Sequence, residues 1–227
     1  MKTILITGAS RGLGHELAKV FSKRNYNIIL TAKDAGRLNL VADFLRNTEN
    51  NVCTVPGDIR DPDTIGRLYA VAEAQSLDIL INNAGALTAG TFREMDISVI
   101  REMIAVNLMA PIELTKAIYP IFLRKSAGLI ININSIAGKS PDEKAAVYCA
   151  SKYGLRGFFD SFGWEAAKHN IFAINIYLGA TNTDMAKDRP DQKKLICPAE
   201  AARKIYRVSE EHESLRVSEI DLWRRNY

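Results

Sequence analysis

The sequence predicts a doubly wound α/β fold, a parallel seven-stranded sheet with helices on both faces, in one domain spanning 1–227. Three observations predict it. Short apolar, β-rich runs alternate with longer helical patterns along the whole chain. Several of those runs are apolar throughout rather than alternating, as strands are when helices cover both faces of a parallel sheet. The first run leads straight into a glycine-rich turn that opens a helical pattern.

The strand-like runs are 3–6, 27–31, 52–55, 78–81, 129–133, 172–177 and 216–222, each ending in turn signals. The helical patterns fall near 13–24, 35–47, 62–75, 97–125, 148–168 and 198–208. No internal repeat, low-complexity tract or Pro/Gly-rich linker divides the chain. The segment 182–197, rich in Asp, Lys and Pro, has few apolar anchors and is the expected mobile element. It follows a strand end, the place where open α/β sheets bind ligands.

Composition narrows the function classes. At 227 residues, with 47% hydrophobic and 25% charged residues, the chain reads as an ordinary soluble globular protein. The net charge is +4, and bases such as Arg203, Lys204 and Arg207 are interspersed with Glu210, Glu211 and Glu213, so no nucleic-acid surface is expected. Cys53, Cys149 and Cys197 stand far apart, as do His15, His169 and His212, so neither a metal site nor a disulfide framework is expected. Free thiols fit a reducing, cytoplasmic setting. Met1-Lys2 runs directly into a strand-like stretch too short for a signal peptide, so none is expected. No apolar run approaches the ~20 residues of a membrane span.

At the first turn the sequence is Thr7-Gly8-Ala9-Ser10-Arg11-Gly12-Leu13-Gly14. Glycine permits positive φ and close backbone approach. The helix that follows offers unpaired N–H groups and a positive dipole end to a pyrophosphate. The same turn would also serve as a simple strand–helix connection without a ligand. The spacing is G-x-x-x-G-x-G rather than G-x-G-x-x-G.

Farther on, Tyr148 and Lys152 are four apart, on one face of a helix, where an ammonium can favour an ionised phenol. Alone, such a pair is usually a half-buried aromatic and a solvated lysine. Here it is preceded by Asn82-Asn83-Ala84-Gly85, by Asn107, and by Ser135 thirteen residues upstream of the tyrosine. Ser135 could equally be a strand-end turn serine, and Asn107 a solvent-facing helix residue. Cys149 lies about 100° around the helix from Tyr148 and reads as packing filler. Phe158, Phe159, Phe162 and Trp164 read as core or helix–helix contact rather than a substrate box.

These motifs together resemble the classical short-chain dehydrogenases/reductases, over nearly the whole chain. The resemblance implies a Rossmann-type fold with strand order 3-2-1-4-5-6-7, a nicotinamide cofactor, and hydride transfer between that cofactor and a carbonyl or alcohol. It implies catalytic roles for Asn107, Ser135, Tyr148 and Lys152. In this reading Tyr148 is the general acid in reduction, Lys152 favours the tyrosinate and touches the nicotinamide ribose, Ser135 holds the carbonyl oxygen, and Asn107 bends its helix and holds a water. It places the cofactor against Gly8, Ser10, Arg11, Gly12, Leu13, Gly14, Lys33, Asp58, Ile59, Asn83, Ala84, Gly85, Tyr148, Lys152, Gly179, Thr181 and Thr183. Asp58 is also a candidate cap for the helix starting near Pro62.

Charge decides the expected cofactor. Where NAD binders of this family carry an acid, at the end of the second strand, Ala32 stands here, followed by Lys33, with Arg11 in the glycine turn. Two cations without that acid suit a 2′-phosphate, so NADP(H) is favoured over NAD(H). A shift of register would make Asp34 the NAD acid instead. After the sixth strand the family has Pro-Gly, and this chain has Leu178-Gly179, losing the proline's fixed φ. The partners implied are a small-molecule carbonyl or alcohol substrate and a second copy of the chain, in a homodimer or homotetramer. Nucleic acid and membrane are not expected. The competing readings are a nicotinamide-binding regulator without turnover, whose Tyr or Lys should have been lost, and a sugar-nucleotide epimerase or dehydratase, which needs a larger C-terminal domain.

Overall fold

The computed structural model describes residues 1–46, 50–187, 189, 191–211 and 217–224. Seven parallel strands form one sheet, β1 (Thr3–Thr7), β2 (Asn27–Thr31), β3 (Val52–Thr54), β4 (Ile79–Asn82), β5 (Gly128–Ser135), β6 (Ile171–Leu178) and β7 (Glu219–Leu222), in the order β3-β2-β1-β4-β5-β6-β7. The ends of two expected elements, at 47 and 216, lie outside the described residues, as do 188 and 190 of the expected mobile segment.

The apolar runs are explained by two cores, one on each face. Ile4 and Ile6, Ile28 and Leu30, Ile79 and Ile81, and Leu129 and Ile131 point to one face. There they meet Leu17 and Phe21 of α1 (Gly12–Ser22), Leu38 of α2 (Ala35–Leu45) and Ile205 of α7 (Pro198–Glu211). Leu5, Ile29, Leu80 and Ile130 point the other way. They meet Leu68 of α3 (Pro62–Ala74), Leu114 and Ile118 of α5 (Ala110–Lys125) and Phe159 of α6 (Ala146–Ala167). With both faces covered, the strands are apolar on both sides over most of their length, and the buried Asn132 and Asn134 near the end of β5 are the polar exceptions there. Phe158, Phe159 and Phe162 pack in the second core, Phe158 stacking on Phe162 at 5.6 Å, while Trp164 is exposed.

The long helical pattern 97–125 is not one helix. It is α4 (Ile97–Ile104), a π-turn (Ala105–Met109) and α5. The extra residue in the π-turn rotates Asn107 inward to 1% exposure. Helix starts follow local chemistry: Asp34, Asp61 and Asp96 each accept a bond from a first-turn N–H of α2, α3 and α4. The cap of α3 is thus Asp61, directly before Pro62, and not Asp58. No helix among the described residues is long and apolar enough to cross a membrane.

Candidate active site

The glycine turn and the loop after β4 are pressed together at the C-terminal edge of the sheet. Gly8 and Gly12 have φ of +65° and +57°, in the left-handed region where a side chain is strained. A Cβ on Gly8 would lie 2.9 Å from Ala84 Cα, and one on Gly14 would overlap the Gly8 carbonyl oxygen. Two side chains hold this contact. Thr7 Oγ1 accepts from the N–H groups of Asn83 and Ala84, both at 2.9 Å. Asn83 Nδ2 donates to the carbonyls of Thr7 and Gly8 at 2.8 and 3.3 Å. One strand inward, Asn82 Nδ2 donates to Asn132 Oδ1 of β5 at 2.9 Å. The N-terminus of α1 carries no side-chain cap, whereas those of α2, α3 and α4 do, and no acid stands in its first turn. Its positive end is left for an anion.

Each expected phosphate cation has a carboxylate partner. Lys33 Nζ lies 3.2 Å from Asp58 and 3.9 Å from Glu102. Arg11 Nη1 lies 2.8 Å from Asp184. Asp58 is held well below the usual carboxylate range, first by the Arg60 guanidinium and further by Lys33, and Ile59 beside it is buried. Asp34 accepts from the Arg37 N–H at 2.9 Å to start α2, so it works as a cap. A groove of about 420 Å³ opens between α1 and α2, lined by Ser10, His15, Lys19, Arg37, Leu40, Val41 and Phe44. Burial pushes the His15 imidazole below its ordinary value.

The chemical end is built from β5, the π-turn and α6. Ser135 ends β5, and its Oγ accepts from the Ala137 N–H at 3.1 Å, so it makes a strand-end turn as well as facing Tyr148. Lys152 is only 5% exposed. Its Nζ donates to the Ile133 carbonyl at 3.0 Å and lies 5.8 Å from the Tyr148 ring centroid. Burial pushes the Lys152 ammonium down to about 8. Burial likewise lifts the Tyr148 phenol above its ordinary value, against a weaker pull downward from Ser135. Desolvation is thus the larger influence on the Tyr148 phenol in the chain by itself, and the same burial disfavours the charge of Lys152 beside it. Asn107 does not face solvent. Its Oδ1 accepts from the Ala86 N–H at 2.8 Å, and its Nδ2 donates to the Ala86 carbonyl at 2.8 Å and to Ser151 Oγ at 3.2 Å. Gly85 passes close enough that a Cβ would sit 3.3 Å from Asn107 Oδ1.

After β6 the chain turns back over the glycine turn. Leu178 keeps the N–H that a proline would remove, and β6 stays paired with β7 as far as Leu178 and Leu222. The Gly179 N–H then donates to the Leu222 carbonyl at 3.0 Å. Thr181 Oγ1 is spent on the Gly179 carbonyl at 3.0 Å, whereas Thr183 lies against Gly12, whose Cβ would come within 3.2 Å of it. The segment expected to be mobile is anchored where it is described. Thr181 and Ile196 form a parallel bridge, and Asn182 N–H donates to the Ile196 carbonyl at 2.9 Å.

A glycine turn locked to an Asn-Ala-Gly loop, with Ser135, Tyr148 and a buried Lys152 at the same sheet edge, is the arrangement the motifs anticipate. The family model described as short chain dehydrogenase matches residues 2–194. The chain belongs to this family. Among its curated relatives, the mouse dehydrogenase/reductase SDR family member 7 (Mus musculus) is 32% identical over 192 residues, 82% of this chain and 57% of that protein. The chain thus spans under two thirds of that relative's length. An uncharacterised oxidoreductase of Staphylococcus saprophyticus is 27% identical over 96% of this chain and 95% of its own. Among solved structures, a short-chain dehydrogenase from Sphingobium yanoikuyae in complex with NADPH superposes with a TM-score of 0.88 at 26% identity, covering 97% of this chain and 87% of that one. A metagenomic short-chain oxidoreductase in complex with NADP gives 0.85 at 28% identity, covering 97% and 96%.

Several residues of the site leave no mark in the local sequence. Thr7 and Asn134, which donates to the Lys152 carbonyl at 3.2 Å, act on partners far along the chain. Ser151 and Asp184 are likewise visible only through Asn107 and Arg11. For Arg37 a signal existed: a base three residues after Asp34, in the first turn of the second helix.

Proposed function

We propose that the protein is an NADP(H)-dependent oxidoreductase that moves hydride between the nicotinamide and a carbonyl or secondary alcohol of a small molecule. The observation that carries this reading is the meeting of Ser135, Tyr148 and the buried Lys152 at the sheet edge, beside the uncapped N-terminus of α1. The cradle fits a dinucleotide. Gly8, Gly12 and Gly14 let the turn close against Ala84, Thr183 and itself, and the first-turn N–H groups of Leu13 and Gly14, free of a side-chain cap, would meet a pyrophosphate. Asn83, Ala84 and Gly85 on one side and Gly179, Thr181 and Thr183 on the other would flank the nicotinamide, with Asp58 and Ile59 at the adenine. The cofactor would supply the hydride and its electron pair.

This chain's own residues handle the proton and the oxygen. Ser135 Oγ donates to the carbonyl oxygen and holds it. As that oxygen gains charge, Tyr148 gives it the phenolic proton and becomes a tyrosinate. The Lys152 ammonium stabilises that anion, and solvent returns the proton. In oxidation the same groups run in reverse.

The preference for NADP(H) is supported by the absence of an acid at Ala32 and by Ser10 and Arg37 in the α1–α2 groove. The Sphingobium yanoikuyae protein binding NADPH supports it further. Met109, Tyr153 and Trp164, exposed large side chains around α5 and α6, support a homodimer or homotetramer through those helices. The free thiols of Cys53, Cys149 and Cys197 support a cytoplasmic location.

Titration of the purified protein with NADPH and NADH, followed by a carbonyl screen under the tighter cofactor, tests this reading. Tight NADPH and weak NADH with carbonyl-dependent oxidation are expected. Saturable binding without turnover on any carbonyl would leave only a binder.

A further inference from the structure

Ser151 is wholly buried beside Lys152, and its hydroxyl joins two parts of the site that the chain leaves separate. Its Oγ donates to the Tyr148 carbonyl at 2.7 Å and accepts from Asn107 Nδ2 at 3.2 Å. Asn107 in turn grips both the N–H and the carbonyl of Ala86, at 2.8 Å each. Both donors of the Asn107 amide are thereby used, one on the loop and one on α6. The π-turn places Asn107 between Ala86 and Ser151. A serine bonding back to the carbonyl three residues before it is common in helices and by itself only structural. The second bond is what distinguishes this one. It ties the helix carrying Tyr148 and Lys152 to the loop that follows Asn83, Ala84 and Gly85.

We infer that Ser151 is a positioning residue, which through Asn107 fixes the Tyr148 phenol relative to the loop expected to bed the nicotinamide. The inference rests on the proposed oxidoreductase reading. Ser151 touches neither cofactor nor substrate in this assignment, so its loss should act on the chemical step alone. A phenol displaced by a fraction of an ångström slows transfer steeply, because reaction depends on the approach geometry of the reacting atoms.

The test uses the full chain, NADPH and phenanthrenequinone as the carbonyl probe. Ser151→Ala should keep the NADPH dissociation constant within about twofold and lower kcat about tenfold. The primary isotope effect with NADPH deuterated at the transferred position should rise, because hydride transfer becomes more rate-limiting. Ser151→Cys, which keeps the volume and loses the strong hydrogen bonds, should behave like Ser151→Ala. In an Asn107→Ala background, Ser151→Ala should cost less than about a further twofold, because the two act through one contact. An unchanged kcat, parallel losses of kcat and NADPH affinity, or additive effects in the double variant would overturn the inference while the parent still turned over. A parent that oxidises no NADPH with this probe or with any other carbonyl of the screen would sink the oxidoreductase reading, and this inference with it.

Discussion

At the scale of single residues, Lys152 and Tyr148 share one environment and respond oppositely to it. Burial disfavours the lysine's charged form and the tyrosine's charged form alike, so one value falls and the other rises. Lys152 therefore weakens the fold where it is protonated in the unfolded chain. Its folded value of about 8 lies below the ordinary 10.5. The penalty is full below pH 8 and fades as pH rises from 8 to 10.5. At one pKa unit per 1.36 kcal/mol, it is on the order of 3 kcal/mol at neutral pH. Lys152→Met should raise the thermal midpoint at pH 7, with the advantage shrinking by pH 10. A constant difference across that range would mean that packing, not charge, separates the two proteins. Tyr148→Phe would remove the proposed proton donor and leave the proposed cradle alone. Turnover should fall by about 10³-fold or more, with NADPH affinity nearly unchanged in a fluorescence titration.

At the scale of elements, the β2–α2 junction is where reading and structure part. Ala32 and Lys33 were legible as a strand end without an acid. That Lys33 is answered by Asp58 and Glu102 was not, because Glu102 comes from α4 and charge pairing across elements leaves no mark in local sequence. Arg37 also has a carboxylate partner, Asp34 at 3.3 Å, but it faces the α1–α2 groove with Ser10, and it is this base whose loss should discriminate between cofactors. Arg37→Ala should weaken NADPH about tenfold or more and leave NADH alone, as loss of a charge-assisted hydrogen bond would. Lys33→Ala should change both by one small factor. Equal losses for the two cofactors in Arg37→Ala would remove the arginine from the 2′-phosphate. The π-turn shows the same limit in another form. The pattern 97–125 has helical periodicity throughout, and one extra residue per turn is too small a change for periodicity to reveal. Asn107 was found by its motif, while the bonds that define it, to Ala86 and Ser151, needed the fold.

At the scale of the molecule, the layering was the most legible part, because runs apolar on both faces admit few other folds. Both the seven strands and their order agree with expectation. The same architecture also has a temporal consequence. Every neighbour pairing in the sheet is parallel, so each joins strands separated by a crossover, and β1 must wait for β4 before Thr7 can meet Asn83. Such long-range closure makes for slow folding. The proposed cofactor cradle draws on the ends of β1, β4, β5 and β6 and exists only when all are in place. A ligand that needs the finished edge can hold the native state but cannot guide the chain toward it. Saturating NADPH should thus lengthen the unfolding half-life in proportion to its affinity and leave the refolding rate where it was. Faster refolding with NADPH would mean that the edge assembles before the sheet is complete. For a cell, the consequence is that cofactor supply would govern how long each finished copy lasts, and not how readily a new one forms.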